Sequence, residues 1–453
     1  MHSRNLDSDQ IAMNATQESW LGEFFAVSCP EQAIPGLVCY SDSQGVTVRF
    51  LKRISSPWIQ PSIMHGILET GEECTLLCPV HLPGIGPERY NQHYDETTVV
   101  SGVLGYQYFV IGKHIDLNNG IGEVSFAFPD IGSFATGLDE FMQTRETPLA
   151  YCEQTIIGKI SVWRQDSGVS MFDIKEAVHS SNSAALERLS NAHDAIRNEL
   201  GVYFTRRQSA EYRIILEFPA EVNLHDACVT IQKLADLFSI LLYTPVLATG
   251  ILASKGSLGD RNLTVYRSLV LDERTLGIIE SKRNAQSIPI VLNAIQFSDI
   301  VKKWLEECDS YSPLVSCIQS RTNIKAVHEV YADITLYCAF MDSIKHEANL
   351  GRKQYEECIR NFACSSLQQK ILAVFELDGI EKAGVAVCEI RADIVHFRGT
   401  RKWINKISTD DMCQLSQYLE LTVIGYLLER LGISSELIGK YQMVQAQTFW
   451  SGI

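Results

Sequence analysis

Near Pro289 the hydrophobic period of the chain changes, and that change constrains the fold more than any single motif does. Upstream, short segments rich in β-branched and aromatic residues alternate with Gly, Pro, Asn and Asp. Gly45 to Leu51, Thr98 to Leu104, Tyr106 to Ile111, Glu123 to Phe128, Lys159 to Trp163 and Tyr212 to Phe218 read as separate strands, and Leu263 to Arg267 resumes the pattern. One helical insertion interrupts them. Asn223 is a capping-type residue, and Ala227, Ile231, Leu234, Leu237, Phe238 and Leu241 follow at 3- and 4-residue spacing. Downstream, Ile300 to Cys308, Ile324 to Ala348, Ser365 to Leu377, Ala383 to His396 and Asp410 to Leu431 each carry one apolar stripe, with Asp299, Ser366 and Thr409 at or near their starts. The pattern predicts an α+β multidomain protein. Residues 1–290 form a β-rich, sandwich- or barrel-like region with a helical insertion, and residues 291–453 form an all-α helical bundle.

A chain of 453 residues exceeds one ordinary core and is expected to divide into two or three domains. The longest uncharged apolar run, Leu237 to Ala253, is broken by Pro245 and Gly250 and preceded by Asp236, so it predicts a buried helix, a turn and a strand rather than a membrane span. Thirteen cysteines, an odd count scattered along a chain that opens on polar residues, do not read as a disulfide framework, and a cytoplasmic, reducing location is expected. A net charge of -15 argues against a generally polyanion-binding surface. Any nucleic-acid contact must then use a local basic patch. Residues 391–406 supply one, with Arg391, Arg398, Arg401, Lys402 and Lys406 set against a single acid, Asp393; a solvated helix end and loop is the plainer reading of the distal lysines.

Within that patch, Arg391 and His396 stand five apart in an apolar, helix-forming stretch where Val385, Cys388, Ile394 and Val395 recur at helical spacing and Gly399 reads as a stop. The pair holds what metal-independent RNA cleavage requires. An imidazole titrates near neutrality and can act as general acid or base, while a guanidinium presents a fixed charge and a planar fork to a phosphate. Because RNA carries its own 2'-hydroxyl nucleophile, no metal is needed, and the expected products are a 2',3'-cyclic phosphate and a 5'-hydroxyl. Residues five apart on a straight helix point about 140° from one another, at about 100° per residue. Either the helix ends near His396 or a second copy of the chain completes the site in a symmetric dimer.

The segment Glu389-Ile-Arg391-Ala-Asp-Ile-Val-His396-Phe resembles the signature of the HEPN superfamily, in which an Arg and a His lie near one end of a helix in a small all-α domain. Upstream, Ile63 to Gly66, Thr75 to Cys78, Gly105 to His114, and Leu224 to Val246 look like the N-terminal β-rich region of ApeA-type anti-phage proteins, which join such a region to a C-terminal HEPN domain. The resemblance implies an endoribonuclease toxin of abortive infection that cleaves host RNA, with tRNA a common target class of the superfamily, and a homodimer or higher homo-oligomer formed through the HEPN domain. It implies catalytic Arg391 and His396, with Arg398, Arg401 and Lys402 binding flanking phosphates. Many HEPN proteins carry a polar residue directly after the arginine. This chain has Ala392 there and its acid at Asp393, which either orients the site or faces solvent. The β-rich region would sense a phage-derived trigger or inhibitor, or restrain the nuclease. The alternative is a catalytically inactive HEPN scaffold that binds RNA or a protein partner.

Other candidates read more plainly. Cys74, Cys78 and His81 lack a second ligand pair nearby and read as buried cysteines on a strand and its exit, so no metal and no cofactor is expected. Gly84-Ile-Gly86 and Gly120-Ile-Gly122 lack a third glycine and a following helix, and read as hairpin turns. The polar stretch Ala184 to Leu200, with His193 and Arg197 and with His179 just before it, reads as a solvated helix covering the sandwich. His328 and His346 lie on the helix from Ile324, within range of the Arg391 helix in a bundle.

Overall fold

The computed structural model describes residues 18–54, 60–81, 93–94, 97–136, 149–166, 169–171, 182–201, 205–207, 210–255, 262–269, 271–280, 287–322, 325–350, 355–396 and 403–447. It is an α+β protein, as the change of period predicts. The N-terminal strands are β1 (Glu18–Ala26), β2 (Ile34–Ser41), β3 (Gly45–Ile54), β4 (Ile63–Leu68), β5 (Glu73–Val80), β6 (His93–Tyr94) and β7 (Thr97–Ile111). Six of them close a barrel in the order β3-β2-β1-β4-β5-β7, with β3 returning to β7 in antiparallel register from Val46↔Tyr106 to Ile54↔Thr98. Closure removes the free edges that a sheet this short would expose. Phe24, Val38, Val48, Met64, Leu76 and Phe109 fill the interior, each under a twentieth exposed.

Thr98 to Leu104 and Tyr106 to Ile111 are not two strands but one, the 15-residue β7. Gly105, which reads as a break, sits in regular pairing with Thr47 on one side and Val80 on the other. Beyond Tyr106 the strand leaves β3, and its residues 108–111 pair with β15 (Leu263–Arg267) along the same edge while β5 stays on the other. Ser268 stitches the handover. Its hydroxyl donates to the Tyr106 carbonyl at 2.6 Å and accepts the Val46 N–H at 2.6 Å. Gly45, at φ +71°, has room for no Cβ there, because the atom would lie 2.7 Å from that hydroxyl.

From β7 the sheet continues through β15, β14 (Thr249–Ser254), β8 (Ile121–Ala127), β13 (Ala210–Val222), β10 (Gly158–Asp166) and β9 (Leu149–Thr155), while β11 (Val169–Met171) and β12 (Thr205–Arg207) form a separate pair. Gly120 and Gly122 lead into β8, whose partners are β13 and β14, so they do not make a hairpin turn. Gly84 and Gly86 lie outside the described residues. Helix α1 (Ile131–Thr136) follows β8. Helix α2 (Ser183–Leu200) is capped by the Asn182 side chain, buries only Ser190 and leaves Leu189, Ile196 and Leu200 exposed, so it presents no covered apolar stripe to the sheet. His179 lies outside the described residues.

The insertion predicted from Asn223 is helix α3 (Leu224–Leu242). Asn223 Oδ1 accepts the Asp226 N–H at 2.8 Å, and the helix is buried on most of its circumference. It is the hub of a second core. That core runs without interruption from Leu77 and Val124 on the sheet, through Leu234 and Phe238 on α3, to Val387 and Leu427 near the C-terminus. The helices after it are α4 (Glu273–Glu280), α5 (Phe297–Glu307), α6 (Ser312–Gln319), α7 (Val327–Glu347), α8 (Glu356–Phe362), α9 (Ser365–Val374), α10 (Ile380–His396), α11 (Thr409–Leu431) and α12 (Ser435–Gln445). Asp299 and Ser366 lie inside their first turns rather than at the caps, and Ser408, one residue before Thr409, caps α11 by accepting the Asp411 N–H at 3.0 Å.

Where α3 meets the bundle, a charged pair is buried. Arg321 and Glu420 are 2% and 4% exposed at the side chain and lie 2.5 Å apart. Glu420 also accepts the hydroxyls of Tyr243, just past α3, at 2.5 Å and of Tyr337, on α7, at 3.0 Å. Arg321 donates to the Tyr243 carbonyl and stacks over its ring at 3.9 Å. Every oxygen and most of the guanidinium therefore have partners, as a charge in such a place requires.

Candidate functional site

The helix carrying Arg391 and His396, α10, buries Ala383, Gly384, Ala386, Val387, Ile390 and Asp393, positions spaced by three and four residues. The apolar stripe is thus not the one formed by Val385, Cys388, Ile394 and Val395. Val385 and Val395 are 41% and 46% exposed, while Cys388 and Ile394 flank the stripe. Small residues define the true face because α10 runs close to the start of α8. A Cβ on Gly384 would stand 2.6 Å from the Glu356 backbone nitrogen. That approach sets the arginine opposite Tyr355, the residue before Glu356.

Arg391, 39% exposed at its side chain, reaches two groups. Its Nη1 lies 2.9 Å from Oδ2 of Asp342 on α7 and donates to the Tyr355 hydroxyl at 3.0 Å. The Tyr355 hydroxyl donates in turn to the same Asp342 oxygen at 3.3 Å. The other Asp342 oxygen lies 2.9 Å from Nζ of Lys345, whose ammonium stands 4.7 Å from the centre of the Tyr355 ring. Burial, then the neighbouring Cys338 and Asp342, push the Tyr355 phenol far above its ordinary value, so it serves as a hydrogen-bonding group and not as a base. Burial works against the charge on Arg391, but Tyr355 and Asp342 more than restore it. Two cations and a phenol therefore surround one carboxylate at the surface, an arrangement in which a phosphate oxygen can share donors with Asp342.

His396 is the last described residue of α10 and is exposed. Among the described residues it has no hydrogen-bond partner, and no hydrogen bond joins it to Arg391. Asp393 does not face solvent: it is 6% exposed, and its Oδ2 is buried without a partner among the described residues. Arg398, Arg401 and Lys402 lie outside the described residues. Lys406 is exposed, its ammonium 5.6 Å from the Trp403 ring. Trp403 packs edge-on against Phe375 and donates from its indole nitrogen to Glu389 at 2.5 Å, so the chain returns to α10 soon after leaving it.

Sequence reasoning missed Asp342, Lys345 and Tyr355. The Asp342–Lys345 spacing marks a helical ion pair, but nothing local marks Tyr355 as their neighbour. His346 shares the exposed end of α7 with Asp342, whereas His328 lies 14 residues from Asp342, about 21 Å along the helix at 1.5 Å per residue, and does not reach Arg391 from there. Cys74 is fully buried in the barrel, its thiol pushed up to about 12 by burial, while Cys78 is half-buried and His81 exposed. All thirteen cysteines are unpaired thiols. No helix among the described residues is long and apolar enough to cross a membrane.

No curated protein and no solved structure matches the chain. Residues 19–168, which span the barrel and the sheet as far as β10, match the family model described as ApeA N-terminal domain 1, and over that segment the chain is similar to ApeA-type defence proteins.

Proposed function

We propose that the chain is a metal-independent endoribonuclease of the HEPN type acting in anti-phage defence, in which residues 291–453 cut host RNA, tRNA among the candidates, and residues 1–290 sense a phage-derived trigger or restrain the nuclease. The observation that carries the reading lies on the last turns of α10: a half-exposed guanidinium held by Asp342 and Tyr355, and an exposed imidazole at the last described position of the helix, in a protein whose N-terminal third matches an ApeA domain. Arg391 would bind the scissile phosphate, and His396 would move a proton between the 2'-hydroxyl and the leaving 5'-oxygen. The five-residue spacing, about 140° apart on a straight helix, supports completion of the site by a second copy in a homodimer. Arg398, Arg401 and Lys402 would bind flanking phosphates.

A second reading has its own support. Arg391 already satisfies an acid and a phenol, as in an inactive scaffold that binds RNA or a protein through the same surface. Purified protein and its His396→Ala variant, incubated with total RNA in EDTA, separate the two. The enzyme yields fragments with cyclic-phosphate ends that vanish in the variant; RNA that is bound but left whole by both proteins establishes the scaffold.

A further inference from the structure

A cleft of about 380 Å³ opens between α3, α5, α6 and the end of β15. Its volume falls in the range of roughly 300–1,000 Å³ usual for small-molecule sites. Its polar side chains are arranged by one another. Gln232 accepts from Arg267 Nη1 at 2.8 Å and donates to Asp236 Oδ1 at 2.7 Å. Gln319 donates to that same oxygen at 3.0 Å and accepts the Val246 N–H at 2.8 Å. Both amides are thereby spent on holding Asp236 and Arg267 in place.

Three groups are left over. Asp236 Oδ2 takes no hydrogen bond from the described residues, and Arg267 uses only one of its nitrogens. Lys233, on the same face of α3, reaches the Cys308 thiol and, at 4.0 Å, the fully exposed Asp309, and so keeps ammonium donors to spare. Val229, Val315 and Trp304 supply apolar walls, and the Trp304 indole N–H is already committed to the Lys233 carbonyl at 2.8 Å. An acceptor fixed by two amides, two cations with donors to spare and an apolar wall make a site that wants an anion at one end and an N–H donor at the other.

We propose that this cleft binds a small metabolite carrying both an anionic group and an N–H donor, of the size and chemistry of a nucleoside monophosphate: the phosphate on Arg267 and Lys233, a base N–H on Asp236 Oδ2. The ligand would bridge the sheet, through Arg267, to helices α3, α5 and α6. This site is separate from Arg391 and His396, and its test involves no RNA.

Calorimetric titration of the full chain with AMP, GMP, CMP and UMP, alongside the matching nucleosides and inorganic phosphate, is the experiment. At least one monophosphate should bind, and its nucleoside and free phosphate should each bind at least about tenfold more weakly, since the first lacks the contacts to the two cations and the second lacks the one to Asp236. Asp236→Asn keeps an oxygen for the two amides while turning the ligand-facing acceptor into a donor, and it should weaken the monophosphate at least about tenfold. Lys233→Gln, at the partly exposed rim, gives the same test without touching the two amides. No binding of any monophosphate at millimolar concentration overturns the proposal. So does free phosphate binding as tightly as the nucleotides, or nucleotide binding that both variants leave unchanged.

Discussion

Arg391 shows what a single residue can and cannot disclose. Its charge, its distance from His396 and its position on a helix are all written locally, but its partners come from 36 and 49 positions away, on segments whose own sequence advertises nothing beyond a helical ion pair and a tyrosine. The Asp342 pair is more than a third exposed on both sides, so it contributes little to stability. Asp342→Asn should therefore change unfolding free energy by less than about 1 kcal/mol, measured by urea titration. In the RNA-binding reading it also removes a carboxylate from between two cations, and RNA retention should then survive to higher salt on a heparin-type or RNA column. Weaker retention would mean that Asp342 holds Arg391 in position instead of competing for it. Asp393 follows a different logic. It was legible as an acid next to the motif, but its burial was not, because half of the buried positions on α10, Ala383, Gly384 and Ala386, are small residues that carry a faint hydrophobic signal.

At the scale of elements, the close approach of α10 to α8 and the buried pair beneath α3 are the features most sensitive to substitution. Gly384→Ala puts a Cβ against the Glu356 backbone, and backbone does not swing aside as a side chain does. The expected cost is about 1–3 kcal/mol by chemical denaturation. Glu420→Gln leaves Arg321 charged and buried without its counter-ion and should cost about 3–5 kcal/mol, whereas replacing Arg321 and Glu420 together with apolar residues should recover much of that loss. The pair also sets an acid limit. Burial raises the Glu420 carboxyl, yet Arg321, then Lys325 and the two phenols, bring it below its ordinary value. A depressed folded value means the stabilisation is complete above the unfolded carboxyl value of about 4.3 and is lost as pH falls through the folded one. Thermal melting from pH 6 downward should show Glu420→Gln and the parent protein converging as the pH drops below about 4. The long helices behind this network, α7 and α11, were readable from their period, and α3 from its cap and period together. The short α6 and α8 were not, because about two turns give too few repeats to stand out from irregular chain. Strands β1 and β2 escaped notice for a related reason: Pro35 and Gly36, which suggest a turn, sit inside a paired strand of the barrel.

For the whole molecule, the distribution of cores predicts how it comes apart. One core fills the barrel, a larger one is shared by the open sheet, α3 and the C-terminal helices, and a small cluster of Leu247, Leu276 and Ile279 stands beside them. Calorimetry of the full chain should therefore show the open sheet and the helical bundle melting in one transition, and a fragment beginning at residue 291 should be poorly soluble because it uncovers the surfaces that α3 buries. A monomeric, cooperatively folded fragment would show that the bundle closes its core without α3. The switch of period near Pro289 does mark where helices take over, but a period reports local geometry, and the continuity of a core is settled only by which faces meet.

The shared strand β7 links these two interiors more tightly than any loop could. Side chains alternate sides along it, and hydrogen bonding fixes it to β3 over one half and to β5 and β15 over the other, so a slip of a single residue would invert both fillings at once. Evolution of the barrel and of the layer beneath the helices is consequently yoked: an insertion or deletion between residues 98 and 111 has no neutral position, and lengthening is confined to the turns at either end of that ribbon.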